Sequence, residues 1–261
     1  PPLRGIIHTA GILDDGILLQ QDWERFARVM APKLTGAWNL HKLTQELPLD
    51  FFVLFSSAAS LLGSPGQGNY AAANAFMDAL AHYRVSIGQP GLSINWGPWS
   101  DAGMAASLNS RQQARMAAQG MNTIATNEGL LFLEQLLGQA SAQVGVLPFE
   151  LSVFSQQLKL GKIPLFEKLL GKTSLEVEPE IVQKYEILEK LQEASASERE
   201  KLLIAYLKDK GAKVLGLSNS DLDIDQSLQD LGFDSLMAVD LTGIIRTELQ
   251  VELPIRAFVE E

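Results

Sequence analysis

The chain of 261 residues contains no cysteine. That absence excludes disulfide scaffolds, thiolate zinc sites and catalytic thiols. No apolar run reaches the roughly 18 to 20 residues that span a bilayer. The start, from Pro1 to Ile7, has neither an initiator Met nor the basic and apolar regions of a signal peptide. Positive charge is also short: 31 Asp+Glu stand against 21 Lys+Arg, a formal charge of −10. A general nucleic-acid binder would carry a basic stripe instead. These absences imply no nucleic-acid partner, no membrane and a cytoplasmic location. What is present, 46% hydrophobic and 20% charged residues, is the composition of a chain able to bury a core.

The acid is unevenly placed. Residues 184–261 carry a net −7 and residues 1–183 a net −3, so two regions of different character are expected. In the first, Gly5–Gly11 reads as a buried strand ending in a Gly turn. Residues 21–47 carry helical spacing through Trp23, Phe26, Val29, Met30, Leu34 and Trp38. Phe51–Phe55 is a continuous apolar run, as expected of a central parallel strand. A Gly/Pro/Ser loop over 63–68 precedes an Ala-rich helix from about Asn69 to Val85, and Leu92–Trp96 is a third strand closed by Gly97-Pro98. Residues 143–147 fit a final edge strand. Strand and helix alternating at these lengths predict βαβ units and a parallel α/β sheet. Periodicity weakens over 156–183, read as a linker between domains at 1–155 and 184–261. Ser195 and Glu198 have capping-box spacing ahead of an apolar stripe at Leu202, Leu203, Tyr206 and Leu207. A polar loop over 217–230 leads to a second amphipathic helix, Leu236–Leu249.

Two constellations carry chemistry. Ser57 lies just past the C-terminal end of a buried strand, where open α/β sheets place ligands. Tyr70 and Asn74, at i and i+4, share one face of the following helix. A tyrosine ionises near pH 10 and needs a neighbouring cation to lower that value; a Ser hydroxyl beside it could hold a carbonyl. These are parts for reducing a ketone, although Ser, Tyr and Asn near a helix start also serve as caps and core edges.

The segments Phe55-Ser56-Ser57, residues 63–74 (GSPGQGNYAAAN) and Asn95-Trp96-Gly97-Pro98-Trp99 closely resemble the ketoreductase domain of modular polyketide synthases, a branch of the short-chain dehydrogenase/reductase superfamily. The likeness covers roughly residues 3 to 150 and implies a Rossmann-like parallel sheet. It implies that Tyr70, Ser57, Lys33 and Asn74 are catalytic, Lys33 replacing the superfamily lysine whose place Asn74 occupies. It further implies NADPH as cofactor, with contacts from His8, Ala10, Gly11, Asn95, Gly97 and Pro98. Leu13-Asp14-Asp15 matches the B-type fingerprint, which implies a D-configured 3-hydroxyl. The A-type tryptophan is absent, its position being Leu62. Met104 to about Gln119 is expected to be a lid over the substrate. The family's Gly-rich pyrophosphate loop has no counterpart in the sequence and is expected before Pro1, so the chain alone is expected to bind NADPH poorly.

Leu231–Leu241, with Gly232-Phe233-Asp234-Ser235-Leu236 at its centre, resembles the phosphopantetheine attachment motif of acyl carrier proteins, a small all-α bundle. On local physics Asp234 and Ser235 are also ordinary helix N-caps. The resemblance implies covalent 4'-phosphopantetheine at Ser235, attached by a phosphopantetheinyl transferase, and places an expected closing helix after Phe258. From Asp221 onwards 10 Asp+Glu face 2 Arg, a surface suited to docking on basic partners. The reading is a piece of a type I polyketide synthase that reduces a β-ketoacyl thioester and works with ketosynthase and acyltransferase domains. The alternative is a carrier and interaction module whose reductase half is structural. No metal ligand set stands out.

Overall fold

Phe51–Ser57 forms the inner strand β2 in the computed structural model of the chain, paired on both edges. The structure describes residues 2–101, 103, 116, 120–150, 153, 182–215, 227, 228, 231, 233 and 235–258. Most of the expected linker, most of the Met104–Gln119 lid and most of the 217–230 loop lie outside them. The chain divides into two compact units, Pro1–Ile163 and Pro164–Glu261.

In the first unit β1 (Gly5–His8), β2, β3 (Leu92–Trp96) and β4 (Gln143–Val146) form one sheet in that order, every pairing parallel. Side-chain alternation along β2 sorts the two faces. Phe52 and Leu54 pack with Ala37 of α2 (Gly36–Thr44) and with Met77 and Leu80 of α4 (Gly68–Ser86). Val53 packs with Ile94, Trp96 and Leu136 on the other face. Leu136 belongs to α5 (Thr126–Leu137), a helix the sequence pattern does not announce. Thr126, Gly129, Leu133 and Leu136 turn toward the protein at helical spacing, but only two of them are large apolar side chains, and Leu130, Leu131 and Phe132 are exposed, so no clean apolar stripe is visible. Gly129 is required by contact: a Cβ there would lie 2.4 Å from the Trp99 ring.

The helical spacing over 21–47 resolves into α1 (Trp23–Met30), a π-helical turn (Ala31–Thr35) and α2. Asp22 caps α1 by accepting from Arg25 N–H at 2.8 Å. Pro32 explains the π turn, because it has no N–H and its ring crowds the preceding turn. The helix widens, and Gly36 N–H reaches back five residues to Ala31 O. The short helix α3 (Ala58–Leu62) follows β2 directly, with Ser57 as its N-cap.

The second unit contains α6 (Val182–Glu193), α7 (Ala196–Leu215), α8 (Ser235–Leu249) and a 3₁₀ turn (Ile255–Phe258). Its core gathers Tyr206, Leu215, Phe233, Leu241 and Ile245, with Phe258 packed against it. The glutamate half of the capping box forms: Glu198 Oε2 accepts from Ser195 N–H at 3.0 Å. Glu248 ties α8 to α7, accepting from Tyr206 Oη at 3.1 Å and Lys210 Nζ at 2.9 Å. Burial, with the Glu248 charge beside it, pushes the Tyr206 phenol up. α6 lies partly in what the sequence pattern assigns to linker.

Candidate active site

The C-terminal ends of β1, β2 and β3 present His8, Ser57 and Trp96 at one edge of the sheet. Ser57 has extended backbone, accepts from Ala59 N–H at 3.2 Å through its Oγ, and hydrogen-bonds the Tyr70 phenol. Tyr70, Asn74 and Asp78 follow at four-residue steps along α4 and so share one of its faces. Asn74 is fully buried. Its Nδ2 donates to Tyr70 O at 2.8 Å, and its Oδ1 has no hydrogen-bond partner among the described residues.

Lys33 comes from the π turn. Its side chain is 3% exposed, its Nζ donates to Phe55 O at 3.0 Å, and the ammonium lies 5.3 Å from the Tyr70 ring centroid. Burial lowers its pKa to about 8, opposed by the charge of Asp78. The structure therefore gathers Lys33, Ser57, Tyr70 and Asn74 around one point. It differs from expectation in the direction of the Tyr70 pKa, which is raised. Burial outweighs the opposing hydrogen bonds of Ser57 and Asn74, and Asp15 adds to the rise. Lys33 commits a hydrogen bond to a carbonyl and not to the phenol. The resting phenol consequently holds its proton at neutral pH.

The Leu13-Asp14-Asp15 segment is laced onto the loop leading to Tyr70. Asp14 pairs with Arg25 at 2.7 Å and Arg28 at 2.9 Å, and its carbonyl accepts from Asn69 Nδ2 at 2.8 Å. The Asp15 carboxylate accepts from Gln67 Nε2 at 2.9 Å, and Gly16 N–H donates to Gly66 O at 2.8 Å. Leu13 is exposed. Asp14 thus has a scaffolding commitment, whereas the charge of Asp15 bears on Tyr70.

The expected cofactor contacts divide. Ala10 and Gly11 lie on the loop after β1, Ala10 exposed. The Gly97 N–H donates to Val146 O at 2.8 Å, and a Cβ on Gly97 would meet Pro148 Cδ at 2.9 Å; Pro98 O accepts from Ile124 N–H. Two side chains turn inward instead. His8, 8% exposed, makes a 3.0 Å hydrogen bond to Pro32 O and so braces the π turn; burial pushes its pKa down. Asn95 is fully buried, with Nδ2 donating to Asp78 Oδ2 at 2.9 Å and Ser60 Oγ at 2.8 Å, and Oδ1 accepting from Gln143 Nε2 at 3.0 Å. Strand alternation puts Asn95 on the α4 face, opposite to Ile94 and Trp96, so its side chain is engaged in a framework between β3, α3 and α4. The sequence reading missed Asp78, Ser60 and Ser93 as members of this network. An acid inside an otherwise Ala-rich helix, eight residues after Tyr70, was the available signal.

In the second unit Ser235 is the first residue of α8; Gly232 and Asp234 lie outside the described residues. A helix N-terminus is electrostatically suited to a phosphate.

Residues 1–101 match the KR domain family model and residues 205–261 the phosphopantetheine attachment site model. The chain joins a ketoreductase domain of the polyketide synthase type to a carrier domain. It is 38% identical over 257 residues to polyketide synthase GfsB of Streptomyces halstedii, covering 97% of this chain and 5% of that protein. It is equally 38% identical, over 261 residues, to the phenolphthiocerol synthesis polyketide synthase type I Pks15/1 of Mycobacterium marinum, covering 97% and 12%. The chain therefore spans a small part of the length of these relatives. Among solved structures, one described as "Structure of A-type Ketoreductases from Modular Polyketide Synthase" is 35% identical with a TM-score of 0.58, over 62% of this chain and 34% of that one. Lys33, Ser57, Tyr70 and Asn74 all fall within the matched ketoreductase segment, and Ser235 within the carrier segment.

Proposed function

We propose that this chain is part of a polyketide synthase module that reduces the 3-carbonyl of a β-ketoacyl thioester carried on a phosphopantetheine arm at Ser235, and that it supplies the catalytic side chains of that reduction. The observation that carries the reading is the convergence of Lys33, Ser57, Tyr70 and Asn74 at the C-terminal edge of a parallel sheet. The unpartnered Asn74 Oδ1, buried beside Tyr70, fits a site built to take a further polar group there. NADPH, when bound, supplies the hydride. Ser57, hydrogen-bonded to the Tyr70 phenol at rest, turns its hydroxyl proton to the substrate oxygen and orients it. Tyr70, held protonated by burial, gives its proton to that oxygen as charge develops. Lys33 stabilises the phenolate left behind, and Asn74 offers a buried acceptor to whatever restores the proton. Ala10, Gly11, Gly97 and Pro98 line the cofactor side through backbone.

The functional limits are 1–155 for the reductase and 184–261 for the carrier. Leu13-Asp14-Asp15, with Leu62 in place of tryptophan, makes the product the D-3-hydroxyacyl thioester. The arm is installed by a phosphopantetheinyl transferase, and ketosynthase and acyltransferase domains are partners. The acidic carrier segment supports docking on basic surfaces. Among the described residues no helix is long and apolar enough to cross a membrane; the proposed location is the cytoplasm. The test is reduction of a β-ketoacyl thioester by the full-length protein with NADPH or NADH, followed by chiral chromatography. Faster turnover with NADPH and a D-alcohol are expected. An L-alcohol overturns the stereochemical assignment, a preference for NADH overturns the cofactor, and absence of reduction overturns the activity.

A further inference from the structure

Asp78 is 7% exposed, lies one step beyond Asn74 on the Tyr70 face of α4, and is bonded to three polar side chains. Its Oδ1 accepts from Ser93 Oγ at 2.6 Å. Its Oδ2 accepts from Ser60 Oγ at 2.7 Å and from Asn95 Nδ2 at 2.9 Å. Ser60 has one hydroxyl proton, and a carboxylate is the stronger acceptor for it. Ser60 Oγ is then left to accept from Asn95 Nδ2 at 2.8 Å. These partners belong to the pieces that carry Ser57: Ser60 to α3, which Ser57 caps, and Ser93 and Asn95 to β3, paired with the end of β2. Ser56, opposite Asn95 in the ladder, also donates to the Asn74 carbonyl at 3.4 Å. One carboxylate on the Tyr70 helix thus bolts down the strand ends around Ser57.

We infer that Asp78 is a positioning residue of the reductase site, fixing Ser57 relative to Tyr70 through Ser60, Ser93 and Asn95 and setting a negative charge against Lys33. The inference rests on the proposed roles of Tyr70, Ser57 and Lys33. Lys33 is faced by Tyr70 and Asp78 from α4 and by His8 from β1. Of these, Asp78 opposes the burial that drives its pKa down. Without Asp78 the ammonium loses its proton at lower pH, so a rate that needs the cation fails earlier as pH rises.

The test is Asp78→Asn in the full-length protein, beside Tyr70→Phe, with folding checked by circular dichroism. Asn keeps the shape but replaces one acceptor oxygen with a donor and removes the charge. The expected result is a kcat lower by about 10²-fold, the scale of a 1 Å misplacement. KM should stay near wild type, and the alkaline limb of the kcat–pH profile should move to lower pH. Ser60→Ala, which keeps the charge, should lower kcat without moving that limb. It also decides the matter if Asp78→Asn does not fold: a wild-type kcat in Ser60→Ala then overturns the inference. A wild-type rate and pH profile in Asp78→Asn, with Tyr70→Phe inactive, overturns the inference alone. Retained activity in Tyr70→Phe overturns the proton-donor reading and this inference with it.

Discussion

Tyr70→Phe should lower kcat for β-ketoacyl reduction by about 10²- to 10⁴-fold, the usual worth of a positioned general acid, while KM stays near its original value. The reasoning is local. Phe removes a single oxygen from a half-buried ring and leaves the α4 backbone, including the Asn74 Nδ2 bond to the residue-70 carbonyl, in place. Ser57 and Lys33 keep their own anchors, Ala59 N–H and Phe55 O. Substrate can therefore still bind beside Ser57, but no proton meets the oxygen as hydride arrives. Steady-state kinetics on the full-length protein, with a β-ketoacyl thioester and NADPH, checks this. Equal losses in kcat and kcat/KM would mark an interaction made only in the transition state. A variant within threefold of wild type would give the proton transfer to another group and favour the reading of the reductase half as structural.

Ser235→Ala should abolish covalent loading altogether. Treating the full-length protein with a phosphopantetheinyl transferase and coenzyme A should add one phosphopantetheine to the wild-type chain and none to the variant, read by intact mass spectrometry. Ala is the strongest helix former and replaces the first residue of a fifteen-residue helix. The core beneath, with Ala238, Leu241 and Ile245, is untouched. The melting temperature should therefore hold, which separates loss of an attachment point from loss of the fold. Loading of the variant would place the tether elsewhere.

Much of the ketoreductase sheet was legible because each strand is an apolar run between turn signals, and β3 was bounded at Leu92–Trp96 from sequence and structure alike. Ser57, Tyr70 and Asn74 were legible because strand end and i, i+4 spacing translate directly into position. Lys33 was not: helical spacing runs through it, and only the likeness to polyketide ketoreductases singled it out. The structure supplies the reason for its placement, a π turn at Pro32 that a helical pattern does not display. Asn95 entered only through the family likeness, as an expected cofactor contact, and pleat alternation turns its side chain into the Asp78 network. That network was illegible for a related reason. Asp78 reads in sequence as one solvated acid, and its partners come from two separate elements, α3 and β3, that only the fold brings to it.

The joint claim, that one chain both carries the acyl group and reduces it, is tested most directly by loading a β-ketoacyl-phosphopantetheine arm onto Ser235 of the full-length protein and adding NADPH. Intact-mass analysis of the Ser235 peptide should show the arm gaining the mass of two hydrogens in the wild type and staying oxidised in Tyr70→Phe. An arm that loads at Ser235 but is never reduced by the wild-type protein, or is reduced equally by Tyr70→Phe, would contradict it.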